Sequence, residues 1–283
     1  MLGTITLWFG WYGFNAGSAL VTNSEHRDSL TALAAVNTTL AGGAAGLVAL
    51  FVNYFHLERT TGEPIFDLQT AMNGSLGGLV AITSGCGVVE PWAAVIIGGL
   101  GGLIYLGGSA LLIKIRLDDA VDAIPVHMFN GLWAMLSVGL FASPRNLELA
   151  TSRTFDHAGW FYSLRNGNAS ARILASQLVG ILVILAWVTA IMLPFFVWLD
   201  WKGWFRADPL EELVGLDTSY HGGLILSSGN DGVNPEYISK FEAHRSKLRK
   251  RKNKGKYDDE FDQDEITFGD TIPEERDIIP EEP

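Results

Sequence analysis

The sequence predicts an all-α polytopic membrane protein of about six spans followed by a soluble tail, and three observations predict it. Hydrophobic residues make up 48% of the 283 residues, with 32 Gly and 9 Trp, a mixture unlike an ordinary water-soluble domain. Five long apolar runs follow one another, each of about 20 residues or more, enough at 1.5 Å per residue to cross a hydrocarbon core about 30 Å thick. Beyond Leu199 the composition changes: residues 201–283 carry 12 Lys+Arg against 19 Asp+Glu and few apolar runs.

The first element, Leu2 to Leu20, reads as a span although the sequence starts almost inside it. A cleaved signal peptide could begin in this way, but there is no basic leader, and the aromatic cluster from Trp8 to Phe14 suits a packed helix. The five full runs are Leu30 to Phe55, Phe66 to Val89, Trp92 to Ile113, Ala120 to Ala142 and Ile173 to Leu199. Lipid offers the backbone no hydrogen-bond partners, so these runs must be helices. Gly98, Gly99, Gly101, Gly102, Gly107 and Gly108 give the third run small faces for close helix packing, and no chemistry is assigned to them. Cys86 is the only cysteine, which excludes an intrachain disulfide.

Residues 1–200 are thus expected to be the transmembrane region, and residues 201–283 a cytoplasmic tail that is disordered after about residue 224. Short-loop charges do not fix the orientation by themselves. With the tail inside, Arg59, Lys114, Arg116, Lys202 and Arg206 face Arg27, Arg145, Arg153, Arg165 and Arg172 across the membrane, a tie. The basic block from Lys247 to Lys256 tips the balance toward a cytoplasmic carboxyl terminus, and with six spans the amino terminus is then inside as well. That block could bind anionic lipid, or pair with the acidic block from Asp258 to Glu265 that follows it. Asn168-Ala-Ser170 falls in the expected external loop and matches the pattern of a glycosylation sequon. A nucleic-acid role is excluded by the number of spans.

Within the run Ala120 to Ala142, His127 is the one ionisable side chain beyond the first turn. An imidazole at that depth is costly unless it faces a pore or a partner, so two readings stand: a functional path, or a hydrogen-bonded contact between helices. Trp11, Phe14 and Ser18, spaced i, i+3 and i+7, share one helical stripe. An aromatic ring and a hydroxyl on one face can hold a small cation partly stripped of water; helix packing is the plainer alternative.

Several segments, in order, resemble the ammonium transporter family, and within it the plant and algal type. They are Trp11-Tyr-Gly-Phe14-Asn15-Ala-Gly-Ser18, Asn37-Thr-Thr-Leu-Ala-Gly, Asn73-Gly74 through Gly85-Cys86-Gly and Val-Val-Glu90-Pro91-Trp92, Leu117-Asp118-Asp119, His127 with Gly131, and Gly215-Leu-Asp217-Thr-Ser219-Tyr-His221-Gly222. The resemblance covers roughly residues 5 to 223. It implies an eleven-helix protomer built from two inverted halves, with a pore in each protomer of a homotrimer. It also implies that Phe14 is one ring of an external gate, with Trp11 beside it on the same stripe. Ser18 would be a hydroxyl of the ammonium recruitment site, and His127 the second of two pore histidines. Asp122 would be a structural carboxylate near the cytoplasmic mouth. The tail segment with Gly215, Asp217, Ser219, His221 and Gly222 would couple neighbouring subunits, Ser219 standing where plant relatives carry a phosphorylated threonine.

The sequence also departs from that pattern. Five spans that the family places before Trp8 are absent, and with them the first pore histidine and the second gate ring; Met128 and Phe129 follow His127 where the family usually has glycine first. The expectation is therefore the carboxyl-terminal half of an ammonium transporter, in the plasma membrane, acting on ammonium or methylammonium among membrane lipid. It would assemble as a homotrimer or with relatives as a heterotrimer, without a cofactor or metal, and is not an enzyme. Two alternatives are a non-transporting subunit that regulates full-length relatives and half of an unrelated secondary transporter.

Overall fold

The computed structural model describes residues 1–20, 25–151, 158–167 and 169–207. Among them regular structure is helical, apart from one isolated antiparallel bridge between Val89 and Ala142. The chain falls into two compact units, Met1–Leu193 and Pro194–Pro283. In the first, α1 (Leu2–Leu20), α2 (Arg27–Thr61), α3 (Leu68–Thr83) and α4 (Pro91–Lys114) precede a π-helical stretch, Ile124–Phe129, that runs directly into α5 (Asn130–Phe141). Short helices α6 (Pro144–Thr151) and α7 (Trp160–Arg165) follow, and α8 (Arg172–Trp201) starts in the first unit and ends in the second. Among the described residues α2, α4, Ile124–Phe141 and α8 are long and apolar enough to cross a membrane by length and composition.

α2 carries small residues every fourth position, and these determine how closely its neighbours approach. Ala41, Ala45 and Ala49 are fully buried. A Cβ added at Gly78 would stand 2.4 Å from Ala45 Cβ, and one at Gly74 the same distance from Ala49 Cβ, so α3 packs at near-backbone range. On α4, a Cβ at Gly98 would lie 2.2 Å from the Ala41 carbonyl oxygen and one at Gly102 2.5 Å from that of Ala45. Glycine at these positions lets backbones meet where the bilayer supplies no hydrophobic drive for helix association. α2 also outruns the expected Leu30 to Phe55, because His56 to Arg59 continue the helix until Gly62, at φ 77°, closes it in the left-handed conformation.

The expected helix from Phe66 to Val89 is interrupted: α3 begins at Leu68, capped by the Asp67 carboxylate, and ends at Thr83. Gly85 and Gly87 weaken helix continuation, and Glu90, preceding Pro91, is held extended at φ −77°, ψ 153°. Irregular backbone at this depth must find partners in the protein. Asn37 Nδ2 donates to the carbonyls of Cys86 (2.8 Å) and Val89 (2.9 Å), Asn146 Nδ2 donates to Val89 (3.2 Å), and the Ser143 amide donates to Val88 (2.9 Å).

α8 meets the first unit near its start, where Leu174 lies over Gly139 and Met135 lies near Gly180. Ile181 is its one buried residue, and from Leu182 to Leu193 every side chain is exposed. In the second unit, Trp198 and Trp204 meet edge to face at 5.9 Å, and the Lys202 ammonium stands 4.6 Å from the Trp201 ring. Aromatic rings beside a cation at the end of an apolar helix suit the membrane–water boundary.

Candidate functional site

The segment leading to His127 is built on two aspartates. Asp119 receives the Ala123 amide on Oδ1 (2.9 Å) and the Ile124 amide on Oδ2 (2.7 Å), capping the π-helical stretch from outside. Asp122 has φ 56°, a left-handed conformation in which aspartate is enriched, and its carbonyl accepts the Val126 amide at 3.0 Å. Its carboxylate gathers donors from two helices: Ser109 (2.8 Å) and Tyr105 (3.1 Å) on α4, and Asn73 Nδ2 (3.4 Å) on α3. Asp122 is therefore a tie between α3, α4 and the start of the His127 segment.

The π-helical register then sets adjacent side chains in opposite surroundings. Val126 is buried in a cluster with Ala49, Val80 and Tyr105, whereas His127 beside it is exposed. Such π-turns occur frequently at functional sites. Phe129 lies over Gly108, where a Cβ would come within 2.6 Å of the ring. The segment thus rests on one glycine face of α4 while Gly98 and Gly102 rest on α2.

On α1 the stripe divides. Trp11 packs on the same cluster as Val126, and its indole nitrogen donates to Thr83 Oγ1 at 2.9 Å. Phe14 is 62% exposed, its ring 6.1 Å from that of Trp11 and tilted by 59°. The Ser18 hydroxyl donates to the Phe14 carbonyl at 2.7 Å, which commits its proton and leaves the oxygen as an acceptor. Trp11 is thus brought to the scaffold behind His127, while Phe14 and Ser18 stay exposed on α1. The segment with Gly215, Asp217, Ser219, His221 and Gly222, the charged blocks of the tail and Asn168 lie outside the described residues.

Sequence reading missed the partners of Asp122 and also Asn130, which is fully buried. The signal for Tyr105 and Ser109 was available as an i, i+4 polar pair in an otherwise apolar helix, and that for Asn130 as a lone amide three residues after His127.

Residues 1–224 match the model of the Ammonium Transporter Family. The chain belongs to that family. Among curated members of the ammonium transporter family, it is 37% identical over 239 residues to Ammonium transporter 1 member 2 of Oryza sativa subsp. japonica, covering 82% of this chain and 46% of that relative. With Ammonium transporter 3 of Dictyostelium discoideum it shares 38% identity over 227 residues, 78% of this chain and 48% of the other. Among solved structures, Candida albicans Mep2 superposes with a TM-score of 0.61 at 26% identity, covering 83% of this chain and 48% of that one. Saccharomyces cerevisiae Mep2 gives 0.58 at 29% identity, covering 70% and 43%. The chain spans about half the length of the curated ammonium transporters it matches.

Proposed function

We propose that this chain supplies the His127-bearing half of an ammonium conduction path. The observation that supports it most is the exposed imidazole on a segment anchored from behind, with Val126 buried and Asp119 and Asp122 holding its start. Inside a membrane that exposure is costly unless the ring faces a path or a partner.

In this reading an apolar pore charges any bare cation several kcal/mol for desolvation, and ammonium differs from potassium in being able to give up a proton. Phe14 and the Ser18 oxygen favour the cation at the outer mouth, the ring by its quadrupole and the hydroxyl oxygen by accepting an N–H. Neutral ammonia then moves past His127, whose nitrogens accept or donate hydrogen bonds and can relay the proton. Six spans, a trimeric assembly, a plasma-membrane location and a cytoplasmic carboxyl terminus belong to the same proposal. So does a coupling role for the tail, in which Ser219→Asp lowers flux by adding charge to a packed contact.

The test is growth on low ammonium of yeast lacking its own ammonium transporters. The chain is expressed alone and, in parallel, joined behind the amino-terminal half of a plant relative. Growth with the joined form, lost on His127→Ala at equal surface expression, is expected. A joined form that reaches the surface but supports no growth, or one indifferent to His127→Ala, overturns the proposal.

A further inference from the structure

Asn130 lies three residues after His127, inside the protein, with none of its surface exposed. Its side-chain Nδ2 donates to the Pro125 carbonyl at 3.1 Å, and its backbone amide donates to the carbonyl of His127 itself. Pro125 and Asn130 thus bracket His127, and one residue bonds two carbonyls of the π-helical stretch. The amide group is clasped between helices. A Cβ added at Gly77 on α3 would stand 2.8 Å from Asn130 Nδ2, and one at Gly101 on α4 would stand 2.9 Å from Asn130 Oδ1. Oδ1 accepts no hydrogen bond from the described protein groups. An apolar side chain would fill this place without burying an unpaired oxygen, so packing alone does not account for an amide.

We propose that Asn130 is the positioning residue for His127: its amide holds the Pro125 carbonyl and so fixes the π-register that exposes the imidazole while burying Val126. Without that donor, the Pro125 carbonyl loses its side-chain partner and keeps only what the helix backbone gives it, and the segment has reason to rewind into α-helical register. A rewinding of one residue turns side chains by about 100° and carries the imidazole away from its present direction. The inference deepens the conduction reading, because a relay ring must keep one orientation to pass ammonia and protons.

The test uses the full chain in lipid nanodiscs with 15N-labelled histidine, the His127 ring signals being assigned by their loss in His127→Gln. Asn130→Leu keeps the volume and removes the donor, Asn130→Ala removes both, and Asn130→Asp keeps shape and, while burial keeps it protonated, a donor. Leu and Ala are expected to move or split the His127 signals, and Asp to retain the wild-type signals until raised pH ionises it, each compared with wild type at the same pH. If the Leu and Ala variants do not accumulate, the Asp variant decides: signals that still track wild type once the infrared band of the introduced carboxyl shows it ionised overturn the proposal, as does a wild-type spectrum for Asn130→Leu. In the joined transporter, Asn130→Leu should lower the preference for ammonium over methylammonium about tenfold at equal surface expression; unchanged preference also overturns it. A wild-type joined form that carries no ammonium would defeat the conduction reading while leaving the nanodisc result to judge Asn130.

Discussion

The phenol of Tyr105 donates to Asp122 across 3.1 Å, tying the middle of α4 to the residue from which the His127 segment starts. Tyr105→Phe removes one of three donors to a carboxylate that keeps Ser109 and Asn73, so a loss of about 1 kcal/mol is expected. Asp122→Ala strands all three donors and should cost more, about 1–3 kcal/mol, with the double variant less than additive. Thermal unfolding in detergent checks this. Equal melting of Asp122→Ala and wild type would show that the cluster ties nothing.

Gly98→Ala sets a methyl against the Ala41 backbone, 2.2 Å from its carbonyl oxygen, where no flexible side chain can give way. Separation of α4 from α2 and a lower melting temperature are expected. Gly107→Ala meets nothing within 4 Å and, by helix propensity, should be neutral or stabilise by up to about 1 kcal/mol. Similar melting of the two alanine variants would remove close approach as the reason for glycine at position 98.

Asn37→Leu leaves the carbonyls of Cys86 and Val89 without their shared donor at the break between α3 and α4. The Cys86 carbonyl is left unpaired at a cost of about 1–3 kcal/mol while Val89 keeps the Asn146 amide, and local opening around Cys86 is the cheaper response. Because Cys86 is the single cysteine and is only 7% exposed, maleimide labelling reports that opening directly. Faster labelling of Asn37→Leu than of wild type is the expected result, and equal rates would mean the break is held by other contacts.

His127→Gln changes an exposed side chain that makes no hydrogen bond among the described residues, so stability should stay within about 0.5 kcal/mol of wild type. In the joined transporter, ammonium-dependent current should nevertheless fall sharply, since an amide cannot relay a proton. Loss of folding in place of current would assign His127 to packing.

The helical class was legible in the sequence because long apolar runs report burial in lipid, and a helical fold follows from the backbone's need for partners. The interruption at Ser84 to Val89 was not legible, since hydropathy registers side chains, and the partners that make the break tolerable come from Asn37 on α2 and from Ser143 and Asn146 after α5. His127 could be singled out as a lone imidazole, but not the π-register that exposes it. That register depends on an amide–carbonyl pair, Asn130 to Pro125, whose significance appears only once Gly77 and Gly101 are seen to enclose it. Asp122 carried a family expectation, while its three donors lie at separations of 13, 17 and 49 residues that no local pattern connects.

α8 touches the first unit through its opening turns and presents apolar side chains on all sides from Leu182 to Leu193. Its 30 residues measure about 45 Å, against a hydrocarbon thickness of about 30 Å. A helix that long must tilt or bend to keep its flanks in lipid, and Pro194 supplies a place to bend. Lipids of different acyl length should therefore change the inclination of this lipid-facing helix while the α2–α4 packing stays as it is.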